Sequence, residues 1–200
     1  MKFQWIVLAV ALGAGLLTRH LVDGDNGATT QAQSATEVSD LTQLKSGSDS
    51  INLFSNEDDR LRIVYFGYTH CPDVCPTSLA VLSAGLQTLP EESMKHIWPV
   101  FITLDPERDN AEKSAEYAQY FHKSIIGVSG SDSQIKALAE KYGVLYMRTE
   151  LKDSAMKYAV DHSSYFYLLQ PDGTLLEKVP HTLSSAIIVD AISRHLPTKS

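Results

Sequence analysis

LRIVYFGYTHCPDVCPTSLAVLSAGLQTLP, residues 61–90, carries a strand, a thiol-bearing turn and a helix in one run. Its first seven residues centre on the β-branched and aromatic run Ile63 to Phe66 and end on Gly67, long enough for a buried strand and too short for a helix. From residue 78, Leu79, Leu82, Leu86 and Leu89 recur at helical spacing, and Pro90 closes the pattern. Between the two lie Cys71 and Cys75, the only cysteines of the chain, each followed by a proline. Proline is tolerated in the first helical turn and pushes its predecessor out of the helical region. Both cysteines are therefore expected in a turn leading into the helix, with Cys75 at its mouth. The turn lies at the C-terminal edge of a strand, where open α/β sheets place their sites. The positive end of a helix lowers the pKa of a thiol held there.

Outward from this run, strand-like and helix-like segments alternate. IWPVFITL (97–104) reads as a second buried strand, with Pro99 near its start. A helix is expected from about Asn110 to Phe121, then a short strand in IIGVS (125–129). Ser131 or Ser133 suits the cap of a helix ending at Gly143. SYFYLLQPDGTLLEKV (164–179) is a hairpin turning at Pro171-Asp172-Gly173, and Thr182 suits the cap of a last helix ending near Leu196. INLFSNEDDR (51–60) adds a small hairpin or strand in front. This order predicts a thioredoxin-like α/β fold, a mixed central sheet with helices on both faces, over residues 41–200.

The N-terminus predicts export. Lys2 precedes an apolar run, Trp5 to Leu17, that reaches the roughly 20 residues of a membrane span if counted from Phe3 to Val22 with Arg19 and His20 snorkelling. No small-x-small site closely follows the run, so residues 1–22 read as an uncleaved anchor in preference to a cleaved signal peptide. Residues 23–40, DGDNGATTQAQSATEVSD, hold almost no large apolar side chain and read as a flexible tether. The folded part is then expected in an oxidising compartment, a bacterial periplasm bounded by the inner membrane, where a cysteine pair can form a disulfide bond. A formal charge of −7 without any basic stripe argues against nucleic acid as a partner.

Three uses of the cysteine pair compete. A structural disulfide closing so small a loop restrains the unfolded chain little. A redox-active dithiol usually has the shorter C-x-x-C spacing. A metal site would use two soft thiolates suited to Cu(I) or Zn(II), with a third ligand from elsewhere. Among the seven histidines, His20 falls in the anchor, while His96, His122 and His195 have ordinary surface or helix-end readings. His181 precedes a helix cap, and His70, adjacent to Cys71, is badly placed to share a ligand set with it. His162, just before the strand of residues 165–169, lies in the segment that a thioredoxin-like fold brings opposite the cysteine turn. It is the histidine candidate.

GYTHCPDVCPTSL, TLDPERDN and VDHSSYFYLLQPDGTLL, in that order behind an N-terminal anchor, resemble the Sco/SenC family of thioredoxin-like copper-binding proteins. The resemblance implies that Cys71, Cys75 and His162 bind copper as Cu(I) or Cu(II). It implies a metallochaperone that delivers copper to, or reduces the cysteines of, the binuclear copper centre in a subunit of cytochrome c oxidase. An upstream copper donor and a thiol reductant would serve it. A thiol–disulfide oxidoreductase using Cys71 and Cys75, or a copper or redox sensor, are the alternatives; enzymatic activity is otherwise not expected. Asn110 stands where a small hydroxyl residue is common in the family. Asp105, Arg108 and Asp109 suit either a charge network shaping the site, a docking surface or a solvated loop. Asp161 suits either a group orienting the loop or ring of His162 or a turn residue.

Overall fold

The computed structural model describes residues 43–197 except 56 and 153, so the expected anchor (1–22) and tether (23–40) lie outside the described residues. Two short strands, β1 (Gln43–Ser46) and β2 (Asp49–Asn52), form a hairpin whose turn needs the left-handed backbone of Gly47, φ 57°. The small hairpin or strand expected within residues 51–60 is met only by the end of β2, Ile51 and Asn52; the rest of the hairpin sits earlier in the chain. Strand β3 (Leu61–Gly67) follows and is buried at every position, because both faces of the sheet are covered. Its one charged residue, Arg62, gives its guanidinium to the carbonyls of Leu53, Asp58 and Arg60 and to the Asp58 carboxylate.

Strands β4 (Ile97–Thr103) and β5 (Ile126–Val128) extend the sheet in parallel on one side of β3. On the other side, β8 (Tyr165–Leu169) and β9 (Leu175–Pro180) add an antiparallel hairpin, giving the order β5-β4-β3-β8-β9. This is the expected mixed sheet of a thioredoxin-like fold. Helices α1 (Val74–Thr88) and α3 (Ala111–Phe121) lie on one face. There Tyr117 packs on Phe101, ring centroids 5.2 Å apart, and a Cβ on Gly127 would sit 1.8 Å from the Ser114 carbonyl oxygen. Only glycine permits that approach of strand and helix. The opposite face carries Phe66 and Tyr167 against Tyr142 of α4 (Asp132–Tyr142). The last helix, α5 (Ser185–His195), packs on α1 where Gly85 leaves room for Val189. A one-turn helix, α2 (Glu91–Lys95), joins α1 to β4.

Three sequence expectations shift. Helix α1 starts at Val74, so Cys75 belongs to its first turn and does not merely stand before it. Pro76 permits this because its missing N–H is one of the donors a helix start leaves unpaired anyway. The last helix begins after Ser184, not Thr182, whose hydroxyl instead accepts from the Ser184 N–H. Ser131 does cap α4 through a reciprocal box with Gln134, and Gly143 ends that helix in a left-handed conformation, φ 65°. The third shift matters most for function. Strands β6 (Tyr146–Glu150) and β7 (Tyr158–His162) pair as an antiparallel hairpin that is a sheet of its own. His162 is the last residue of β7, not part of a loop. No described helix is long and apolar enough to cross a membrane.

Candidate metal centre

The thiol turn is fixed from beneath by one carboxylate. Asp109, fully buried, accepts from the Thr69 N–H (2.8 Å), the Thr69 hydroxyl and the Thr103 hydroxyl (2.8 Å), with His70 Nδ1 at 3.3 Å. The Cys71 N–H then closes a turn on the Tyr68 carbonyl, and the Cys75 N–H points at the Cys71 sulfur, 3.4 Å away. Cys71 is half-buried and Cys75 fully so; both are free thiols. Gly67 makes the space: a Cβ there would lie 2.9 Å from the Cys75 sulfur and 3.1 Å from the rings of Phe101 and Tyr65.

The two thiols differ in acidity. The Cys75 thiol, as hydrogen-bond donor to the Cys71 sulfur, pulls Cys71 well below the ordinary thiol range, and burial opposes this. That same donation, with burial, pushes Cys75 up. The pair thus shares a proton. A ligand engaging both sulfurs must displace it.

His162 reaches this pair from β7. Its Nε2 is 3.2 Å from the Cys75 sulfur, and the ligand atoms of Cys71, Cys75 and His162 all lie within 4.8 Å of one another. Its Nδ1 lies 3.1 Å from the Ser163 carbonyl oxygen. A carbonyl can only accept, so Nδ1 holds the proton and Nε2 presents a lone pair to the thiols. The rings of Tyr65 and Tyr68 stand edge-on to the imidazole at 6.3 and 6.2 Å and limit its swing. Two sulfurs and one imidazole nitrogen make a soft, three-donor set that suits Cu(I), and zinc would want a fourth ligand.

The structure separates the other candidates. Asp161 faces away from His162, as neighbours on a strand do, pairs across the hairpin with Met147 and accepts from the Thr149 hydroxyl. It is neither a turn residue nor the ring's partner; the Ser163 carbonyl has that place. His181 is bound to Ser78 (2.9 Å) and His195 to Glu177 (2.9 Å), His96 lies 3.8 Å from Glu92, and His122 accepts from the Ser124 N–H. None of them joins the three-donor group. Asp105 and Arg108 form a buried network and not a solvated loop. Asp105 accepts from Arg108, from the Tyr158 hydroxyl (2.8 Å) and from Arg148 (3.3 Å). Arg108 also donates to the carbonyls of Met156 and Tyr158, 3.0 Å each, with its guanidinium 3.6 Å from the Tyr158 ring centre. The segment DPERD thereby grips the hairpin that carries His162. Ser163 and Tyr158 were not legible as site residues, since a backbone carbonyl and a partner across 53 residues leave no sequence pattern.

The SCO1/SenC family model matches residues 54–197. The human mitochondrial SCO2 homolog is 35% identical over 209 residues, covering 92% of this chain and 77% of its own length. The Arabidopsis thaliana mitochondrial SCO1 homolog 1 is 47% identical over 110 residues, 55% of this chain; the match spans 32% of that relative's length. A crystal structure of Arabidopsis thaliana ScoI with copper bound superposes with a TM-score of 0.64 at 34% identity, covering 76% of this chain and 92% of that one.

Proposed function

Because the chain belongs to the SCO1/SenC family, we propose that it binds copper through Cys71, Cys75 and His162 and delivers it to the copper-bearing subunit of cytochrome c oxidase. The observation that carries this reading is the convergence of two thiols and an imidazole within 4.8 Å, the ring's other nitrogen facing the Ser163 carbonyl. The copper in the similar Arabidopsis structure supports the choice of metal. When bound, copper supplies the cargo and its one-electron redox couple. The protein's own residues do the rest: Asp109 and Thr69 hold the turn, Ser163 keeps the proton off Nε2, and Gly67 clears space for the Cys75 sulfur. Residues 1–22 would anchor the domain in a bacterial inner membrane and residues 23–40 would tether it in the periplasm. An upstream donor loads it there and a thiol reductant keeps the pair open, since a disulfide sulfur is a poor ligand beside a thiolate.

A second reading is favoured by one observation, the division of labour between the thiols. A half-buried, acidic Cys71 beside a buried, proton-holding Cys75 is the pattern of an attacking and a resolving thiol. The same site could then reduce cysteines of the oxidase. Copper(I) competition against a coloured chelator, on the full-length reduced chain, tests the first reading. His162→Ala is expected to lower affinity by about 100-fold while Cys71 and Cys75 still close a disulfide. Unchanged affinity rejects the three-ligand site. Loss of thiol-reducing activity in Cys71→Ser with no copper present would favour the second.

A further inference from the structure

We infer that Arg108 is a positioning residue for the metal site, a latch that sets whether His162 stands with the thiols. This inference rests on the three-ligand reading above and adds to it how the third ligand is held and let go.

The thiols and the imidazole come from different bodies of structure. Cys71 and Cys75 belong to the turn and helix that follow β3, inside a sheet covered on both faces. His162 ends a two-stranded sheet that pairs with no strand of the main one among the described residues. Something other than strand pairing must hold the hairpin in place. Arg108 meets that need. It leaves the loop after β4, three residues from Asp105, and reaches across to the start of β7. Its guanidinium nitrogens bond the carbonyls of Met156 and Tyr158, at 3.0 Å each, and the Asp105 carboxylate, while its plane lies over the Tyr158 ring. Its own side chain is 17% exposed and that of Asp105 is fully buried. Asp105 adds one bond to each hairpin strand, to Tyr158 of β7 and Arg148 of β6.

These contacts grip β7 at its first residue, and His162 is its last. A paired strand is stiff along its length, about 13 Å for this span, so a grip at one end sets the position of the other. Nearer His162 the hairpin is tied without charged contacts: Val160 packs into the core, Ser163 and Leu145 exchange hydrogen bonds at 2.9 and 3.2 Å, and the two tyrosine rings flank the imidazole. The latch therefore bears on the third ligand; its one approach to the thiol side is the Tyr68 ring, 5.8 Å from the guanidinium. With the latch closed, three donors converge. With it open, His162 withdraws and two thiolates remain, the state from which an acceptor's ligand replaces the imidazole: one nitrogen–metal bond breaks as one bond to the acceptor forms, with no change in electron count. Lysine in place of Arg108 would keep the charge against Asp105 but lacks the planar fork needed to bond two carbonyls and a carboxylate together.

A double-mutant cycle on the full-length reduced chain tests this, with copper(I) affinity read by chelator competition and thermal midpoints measured alongside. Arg108→Gln is expected to weaken binding by about tenfold, as loss of a group supporting a ligand does, and Arg108→Lys by about threefold. In the His162→Ala background, Arg108→Gln is expected to cost nothing more. The Cu(II) form gives an independent readout: nitrogen hyperfine structure in the electron paramagnetic resonance spectrum should fade in Arg108→Gln as it does in His162→Ala. Undiminished nitrogen coupling in Arg108→Gln, or the same tenfold loss with and without His162, overturns the latch. So does full affinity in Arg108→Lys and Arg108→Gln alike. If His162→Ala itself binds copper as tightly as the parent, it is the three-ligand reading that fails, before the latch is reached.

Discussion

The five-stranded sheet and the β6–β7 hairpin each bring ligands to one site, and they are held by opposite means. The sheet is held by burial: β3 is covered at every position, and Tyr65, Phe66 and Phe101 are closed off from solvent. The hairpin buries only Val160 fully, four of the five β6 residues are exposed, and polar contacts through Asp105, Arg108 and Arg148 fasten it to the domain. Burial is strong but allows little movement, because packed interiors have no slack. Charged hydrogen bonds are directional and can be exchanged one at a time. Under the proposed delivery of copper, a site that holds and then surrenders its cargo gains from having two ligands on the rigid part and one on the part that is tied.

This contrast is open to direct attack. The largest effect is expected from Asp105→Asn. It leaves the largely buried Arg108 facing an amide, and losing one partner of such a pair costs about 3 kcal/mol or more, while the 41% exposed Arg148 is screened by water and adds little. The urea midpoint should drop, and hydrogen exchange should show β6 and β7 opening before β3. If β3 loses protection together with the hairpin, the two regions are one cooperative unit and the contrast fails. Gly67→Ala attacks the rigid side. The added methyl meets the Cys75 sulfur and two ring edges at 2.9 to 3.1 Å, and overpacking of this kind costs about 1–3 kcal/mol. Its hairpin counterpart, Met147→Ala at a 64% exposed position, should change stability by less than about 0.5 kcal/mol. Equal costs at the two sites would show that the thiol side has more room than its contacts suggest.

The smallest effect sharpens the comparison through pH. Burial, followed by its hydrogen bond to Asp105, pushes the Tyr158 hydroxyl up to about 12. A phenol raised in the folded state binds its proton more tightly there than when unfolded, where it titrates near the ordinary value of about 10. Its contribution is therefore complete below about pH 10 and lost as the pH rises through about 12. Exchange protection of β7 should fall in that window, and Tyr158→Phe should remove the pH dependence while lowering protection at neutral pH. A parent hairpin whose protection is flat from pH 9 to beyond about 12 would break the assignment of Tyr158 to the fastening.

The legibility of the sequence follows the same division. LRIVYFG and the leucines of α1 are readable because burial writes a regular apolar pattern, and the sheet and helix they predict are present. Cys71 and Cys75 are readable as a pair because their spacing is local. His162 is placed as a candidate by the fold and by resemblance, but the hairpin that carries it leaves no pattern: its strand β7 buries only Val160 and the partner strand β6 is almost wholly exposed, so no apolar alternation marks either. Asp109 and Arg108 were visible only as charges after a strand. Their partners are the turn at Thr69, 40 residues away, and the carbonyls of Met156 and Tyr158, 48 and 50 residues away. Contacts to main-chain atoms impose no choice of residue type at the far end.

The bond from the Cys75 amide to the Cys71 sulfur makes the first turn of α1 a witness to the chemistry beside it. One sulfur serves two masters, the helix that wants an acceptor at its open end and whatever electrophile calls on it from outside. Each change in that atom, protonated, bare, bonded or oxidised, alters what the amide feels. A single nitrogen-15 label at Cys75 would therefore read the state of the site from the backbone, with no probe attached to either thiol.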